Sequence, residues 1–331
     1  MKLRSTKSVQ QLVLLGILIF FCVVMSLISN VFFTFENIRN ILRQQAMVAI
    51  VAVGATFIML MGGLDISVGS SLAFTGVVFA ICCQAGLSIF LSALAAAVAG
   101  AAVGAINGAL IVGIGMNHVI ATLGTMYAIR GLAFIVAGGK AVVNGLPSNF
   151  LVLGRGFIFE IPIPVIIMLV IYVVFHIILS RTLIGKYTYA IGGNIETARL
   201  SGIPVRRIKY LIYVIAGVLT GLSGTIMASR LNSGNPQIGE GFEFDVIIAV
   251  FLGGLSTQGG EGSLIGTIIG TMIIGVMSNG LNVLGVDPFY QYIIKGAILV
   301  IAVTTDMTMK KRSLSARKTL KAKSAAASLP G

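Results

Sequence analysis

The sequence predicts an all-α, polytopic membrane protein, and three observations predict it. Apolar runs of about twenty residues, the length an α-helix needs to cross a hydrocarbon layer, recur along nearly the whole chain. The 331 residues are 57% hydrophobic and only 10% charged, with a mean hydropathy of +1.02, which leaves too little polar surface to clothe a soluble fold of this size. The charge is also sorted. Sixteen of the 23 lysines and arginines lie in three clusters: Lys2, Arg4 and Lys7; Arg181, Lys186, Arg199, Arg206, Arg207 and Lys209; and Lys310, Lys311, Arg312, Arg317, Lys318, Lys321 and Lys323. A net charge of +13 by itself suggests nucleic acid. Cations confined to the ends of apolar runs read instead as the positive-inside signal of cytoplasmic loops, and no nucleic-acid partner is expected.

About ten spans follow from the apolar runs. They cover roughly residues 11–33, 44–62, 67–84, 88–112, 118–137, 162–180, 208–229, 243–256, 262–284 and 288–306. The first run is too long for a signal-peptide core and lacks a small-residue cleavage site, so it stays as a span. Asn37 to Arg43 reads as an interfacial lead into the second. An even number of spans puts both termini on one side, and the three basic clusters then fall together on the cytoplasmic face. Gly138–Glu160 and Asn232–Phe242 are left outside. Five spans on each side of the Gly138–Glu160 loop suggest an inverted 5+5 repeat, because halves with an odd number of crossings must be inverted. The eighth span is short and is followed by Gly253–Gly262, which marks it as a broken element. Residues 1–309 thus form one transmembrane domain. Residues 310–331 form a basic, Ala/Ser-rich tail, expected to be disordered and drawn to anionic membrane lipid. Cys22, Cys82 and Cys83 all fall in apolar runs and read as reduced core residues.

The segment 181–209 interrupts this pattern. Its centre, Gly185 to Ile203, is basic and glycine-punctuated, and lies between two membrane-length runs. Asn194 can cap a short helix over Ile195–Leu200 that stops at Gly202 before Pro204. Ala198, Leu200 and Ile203 give it an apolar stripe. A short helix outside the membrane with one apolar face is built to dock on another protein.

The remaining motifs each carry a plain and a sharper reading. In Gly62–Ser70, Asp65 either caps a helix beginning at Ile66 or belongs to a polar break lining a pathway. Arg130, Lys295 and Asn107 are costly inside spans. Lys295 is within about 10 Å of helix from a boundary and can snorkel. Asn107, Asn279 and Asn282 either bond between helices or touch a hydroxylated solute. Gln291 enters beside the latter two, and Thr122, Thr125 and Met126 are weaker candidates for the same cavity. Uncharged polar groups suit a neutral polyol better than an ion. Gly266-x-x-x-Gly270 reads as a close packing face. Gly221-Leu222-Ser223-Gly224 matches the G-x-S-G of intramembrane serine proteases, but both histidines, His118 and His176, precede it in the wrong order. No P-loop and no metal-ligand cluster is present in the sequence, so no cofactor, no metal and no enzymatic chemistry are expected.

Several long motifs occur in order: F-F-T-x-x-N-I-x-N-I-L-R-Q at Phe32–Gln44, G-G-L-D-I-S-V-G-S at Gly62–Ser70 and A-T-L-G-T-M-Y-A-I-R-G at Ala121–Gly131. They continue with Y-A-I-G-G-N-x-x-x-A-R-L-S-G-I at Tyr189–Ile203, G-G-L-S-T-Q-G-G-E-G-S-x-x-G-T at Gly253–Thr267 and N-G-L-N-V-L-G-V at Asn279–Val286. Over nearly its whole length the chain resembles the permeases of ATP-binding-cassette (ABC) sugar importers, the ribose, xylose, arabinose and galactoside group, and looks nearest to the ribose permeases. That resemblance implies a bacterial inner-membrane subunit that moves a monosaccharide inward. It implies a separate ATP-binding subunit, an extracytoplasmic sugar-binding protein and a second permease copy. It makes Gly193, Asn194, Glu196, Ala198, Arg199, Leu200, Ser201 and Gly202 the expected ATPase-coupling residues. The tail beyond Asp306 is longer than in many members. The rival reading is an ion-coupled secondary transporter using Asp65, Lys295 or Asp245 as a charge relay.

Overall fold

In the computed structural model the backbone is described for residues 2–327 and side chains for residues 11–305, 307 and 308. The chain is almost entirely helical. The membrane-length helices are α1 (Lys2–Ile28), α2 (Phe35–Leu60), α4 (Ile89–Gly108), α5 (His118–Val136), α7 (Ile163–Arg181), α10 (Val205–Leu231), α12 (Leu264–Val283) and α13 (Pro288–Ala327). α4 is prolonged by a π-helical turn, Ala109–Ile114. Among the described residues, these eight are the helices long and apolar enough to cross a membrane. α3 (Val68–Gln84) and α11 (Phe242–Leu252), at 17 and 11 residues, are the third and eighth expected spans. Both fall short of the roughly 20 residues a crossing needs, and each is preceded by irregular chain, 61–67 and 232–241. Short elements complete the fold: α6 (Val152–Arg155), the hairpin β1 (Phe157–Ile158) and β2 (Ile161–Pro162), α8 (Leu183–Gly193) and α9 (Ile195–Leu200).

α2 is the axis of the bundle. From Gln45 to Met61 it is buried all round, the pattern of a helix with no lipid face. It packs on α7, α10, α11 and α12, while α10 packs on α2, α3 and α4. Exchanging α2, α3, α4 and α5 with α10, α11, α12 and α13 therefore maps these neighbours onto one another: α2 lies on α11 and α12 as α10 lies on α3 and α4, and the α3–α5 contact matches α11–α13. α2 and α10 run in opposite directions, with Met47 against Ser223 and, further along, Gly54 against Ala216, which makes the relation an inverted one. It joins four helices in each half rather than five. α1 lies on α12 whereas α7 lies on α2, outside the exchange.

Lipid tails are as apolar as leucine, so the helices are held by close packing rather than by escape from water. Glycine supplies the closeness. Gly100 of α4 and Gly217 of α10 sit backbone against backbone, and a methyl group at either would strike the other's carbonyl oxygen. Gly221 is as tight, with a Cβ there 2.9 Å from the Cα of Ala97. Gly266 and Gly270 play the same part against Gly253 and Ala249. Ser223 of the G-x-S-G match donates to the Met47 carbonyl at 3.0 Å and is a buried helix-packing hydroxyl.

Several expectations need correction. Asn37–Arg43 is not a separate lead but the first turns of α2, capped by the Thr34 hydroxyl on Asn37 N–H. α3 begins at Val68 rather than Ile66, because Asp65 Oδ1 accepts from the Ser67 N–H at 2.9 Å and holds a turn that delays the helix. Beyond Asp306 the backbone continues α13 as helix to Ala327. Its Ala, Lys, Arg and Leu residues favour helix, and growth from an existing end needs no new nucleus.

Candidate functional site

At Thr182 the chain leaves α7 in an extended conformation and turns into α8. α8 stops at Asn194, whose backbone is extended (φ −161°) and whose Oδ1 accepts from the Thr197 N–H at 2.9 Å to start α9. The helix then ends in a Schellman motif. Gly202, at φ 78°, donates to Arg199 O, and Ile203 N–H reaches back to Ala198 O. Six residues of helix are thus fixed at both ends by local chemistry. Only one side of α9 is fastened to the bundle. Ala198 is buried and Ile203 packs on the core, whereas Leu200 is 87% exposed and Ile195, Glu196, Arg199 and Ser201 face outward. Ala198 and Leu200, read as one stripe, are therefore on opposite faces. Two residues of α-helix turn through about 200°, so only one of them can meet the bundle.

The attachment beneath α9 is made of backbone. Gly192 lies against Leu60 O, and Gly260 N–H donates to that same carbonyl at 2.8 Å. Tyr189 Oη donates to Gly262 O at 2.8 Å. The α8–α9 elbow thus touches the end of α2 and the loop between α11 and α12.

Four residues beyond Met61 lies a polar knot. The Asp65 carboxylate accepts from Ser67 Oγ at 2.6 Å and from Asn107 Nδ2 at 3.3 Å, Asn107 Nδ2 also donates to Ser67 Oγ at 2.9 Å, and Thr125 Oγ1 donates to Asn107 Oδ1 at 2.7 Å. It ties the 61–67 segment to α4 and α5.

The eight candidate pathway residues do not share one cavity. Asp65, Asn107 and Thr125 form this knot. Thr122, one turn before Thr125, donates to His118 O, and Met126 is half-buried beside it. Asn279, Asn282 and Gln291 lie at the far end of α2, about 39 Å away at 1.5 Å per residue. There Asn279 exchanges two hydrogen bonds with Asn37, at 2.9 and 2.8 Å, and Gln291 Nε2 donates to Asn282 Oδ1 at 2.7 Å. The charged intramembrane residues are partnered: Arg130 Nη1 donates to the carbonyls of Pro236 and Ile238, each at 2.6 Å, and Lys295 pairs with Asp245 at 2.7 Å. The site also takes in Ser67, Tyr189, Gly192 and Gly260, which are not among the sequence-predicted site residues. Ser67 was findable from the Asp-x-Ser spacing of a side-chain-closed turn. The other three depend on contacts between distant segments, which spacing does not reveal. Among the described residues, no three His, Cys, Asp or Glu side chains come together as a metal site.

Residues 37–303 match the family described as "Branched-chain amino acid transport system / permease component". The chain belongs to that permease family. The permease is 45% identical over 286 residues to the ribose import permease protein RbsC of Bacillus subtilis, covering 86% of this chain and 88% of that one. It is 40% identical to RbsC of Escherichia coli, covering 90% and 93%, and 40% identical to the Escherichia coli L-arabinose transport system permease protein AraH, covering 85% of each. No solved structure matches the permease. It is a multi-pass protein of the bacterial cytoplasmic membrane.

Proposed function

We propose that the permease is the membrane-spanning subunit of an ATP-driven importer that carries ribose, or a closely related monosaccharide, into the cytoplasm. One observation carries this reading: α9 is stopped at both ends, offers Ile195, Glu196, Arg199 and Leu200 outward, and follows directly on α8, whose Gly192 backbone is seated on the end of α2. A surface so mounted suits the transfer of force from a second protein, here an ABC ATP-binding subunit. The relatives named for ribose and arabinose supply the cargo class. In this reading both termini and α9 are cytoplasmic, and a sugar-binding protein delivers its load to the opposite face. A second permease copy packs on α5 and α13, where Tyr127, Ile135, Phe289 and Ile293 are exposed. The sugar crosses between the copies. The Asp65 knot, close to the end of α2, sits where an inner gate would.

The test is uptake of labelled ribose, with co-purification of an ATPase from native cells. Glu196→Ala combined with Arg199→Ala is expected to leave membrane insertion intact while abolishing both ATPase retention and uptake. Normal uptake in that variant would refute the docking role. A second reading, ion-coupled transport, draws on the Lys295–Asp245 pair. It predicts uptake that collapses with a protonophore and persists without any ATPase.

A further inference from the structure

The charge sorting leaves some arginines unexplained, and the fold brings four of them together. Arg39 and Arg43 on α2, Arg155 on α6 and Arg230 near the end of α10 gather at the end of the bundle opposite α9. Arg39, Arg43 and Arg155 line an open cleft of about 450 Å³, with Phe35 and Phe157 as its aromatic walls and Glu36 on its rim. The charges of Arg43 and Arg155 reach Arg230, and Arg155 is held in place by its Nε donating to Arg230 O at 2.8 Å. Glu160 pairs with Arg39. Four guanidinium groups thus meet two carboxylates, Glu36 and Glu160, and among the described residues Arg43, Arg155 and Arg230 have no ion-pair partner.

The guanidinium groups sit over aromatic rings. The Arg39 guanidinium carbon lies 4.0 Å from the Phe35 ring centre and 5.1 Å from that of Phe157, and the Arg43 carbon lies 4.9 Å from the Phe157 ring centre. Guanidinium carries its N–H donors in a planar fork that suits phosphate. The surroundings are apolar and exposed rather than watery. Phe33, Phe35, Phe157, Ile158 and Ile161 all lie open, and Phe159 at the hairpin tip is 95% exposed. Phe159 and Glu160 both adopt positive φ, 46° and 67°, a conformation unfavourable for a residue with a side chain. It projects a phenyl ring beside the first turns of a membrane helix, where lipid rather than water is its natural solvent.

We infer that this cleft binds the phosphodiester headgroup of an anionic glycerophospholipid, with the hairpin anchored among the adjoining acyl chains. Net positive charge selects an anionic lipid over a zwitterionic one, and the apolar rim selects a lipid over a soluble anion.

The test is native mass spectrometry of the full chain, released from detergent and titrated with phosphatidylglycerol or phosphatidylcholine. Wild type is expected to hold phosphatidylglycerol in preference. Arg43→Gln combined with Arg155→Gln is expected to weaken that binding about thirtyfold, from two cationic contacts at a membrane surface. Equal affinity for the two lipids, or unchanged binding by the variant, would overturn the inference. So would displacement of the lipid by millimolar inorganic phosphate, which would make the site one for a soluble anion. Loss of an acidic extracytoplasmic protein partner with lipid binding intact would give the cleft to that protein instead. Should the glutamine variant not fold, hydrogen exchange of wild type in nanodiscs decides. Residues 35–43 and 152–158 are expected to be protected in phosphatidylglycerol relative to phosphatidylcholine, and identical exchange would sink the proposal.

Discussion

The irregular segments leading into α3 and α11 occupy equivalent places in the inverted repeat, yet they are stabilised by different chemistry. Residues 61–67 are closed by short side chains, with Asp65, Ser67, Asn107 and Thr125 bonded in a compact knot. Residues 232–241 are closed by long cations: Arg130 reaches two of their carbonyls, and just inside α11 Lys295 pairs with Asp245. The two meet, since a side chain at Gly69 would collide with the backbone of Gly239 and with Glu243. Broken backbone at membrane depth must be satisfied from within the protein. The comparison shows that topology dictates where the breaks fall, while the residues that satisfy them are free to differ.

The largest expected effects lie on the charged side. Lys295→Ala should cost about 3–5 kcal/mol, because Asp245 is left as an unpaired, largely buried charge. The double variant with Asp245→Ala should recover most of that loss, a coupling readable as thermal stability in detergent. If the single and double variants are equally unstable, the ion pair is not what holds α11 to α13. Arg130→Met should cost about 2–4 kcal/mol by leaving the Pro236 and Ile238 carbonyls without their charged donor, with partial recovery in Arg130→Lys.

The side closed by short side chains should respond less to substitution. Asn107→Leu is expected to cost about 1–3 kcal/mol, since it removes a donor from Asp65 and leaves the Thr125 hydroxyl only the Thr122 carbonyl at 3.1 Å. The smallest change is expected outside both segments: Leu200→Ser, on the open face of α9, should move stability by less than about 0.5 kcal/mol.

Much of this architecture was legible in the chain because membrane helices are written in contiguous residues. The apolar runs, the cap at Asn194 and the stop at Gly202 are local signals: cap and stop bound the helix expected of them, and eight of the ten runs gave helices long enough to cross. What stayed hidden is pairwise and distant. Asn37 and Asn279 bond across 242 residues, and Asp65 and Asn107 across 42. Sequence spacing does not announce such partners, so residues that looked like one polar cavity proved to be two clusters at opposite ends of α2. The four arginines were equally visible as single letters. Only the folded chain gathers them.

The seating of α8 on the end of α2 has a mechanical consequence. Gly192, Leu60 and Gly260 touch through main-chain atoms, with no side chain between them to change rotamer and take up slack. Such a joint has little compliance. A displacement imposed on α9 must either carry the last turn of α2 with it, and with that turn the Asp65 knot a few residues on, or break the Gly260 hydrogen bond to Leu60. If α9 is the docking element proposed above, this joint would pass its displacement to the polar knot as a stiff linkage does.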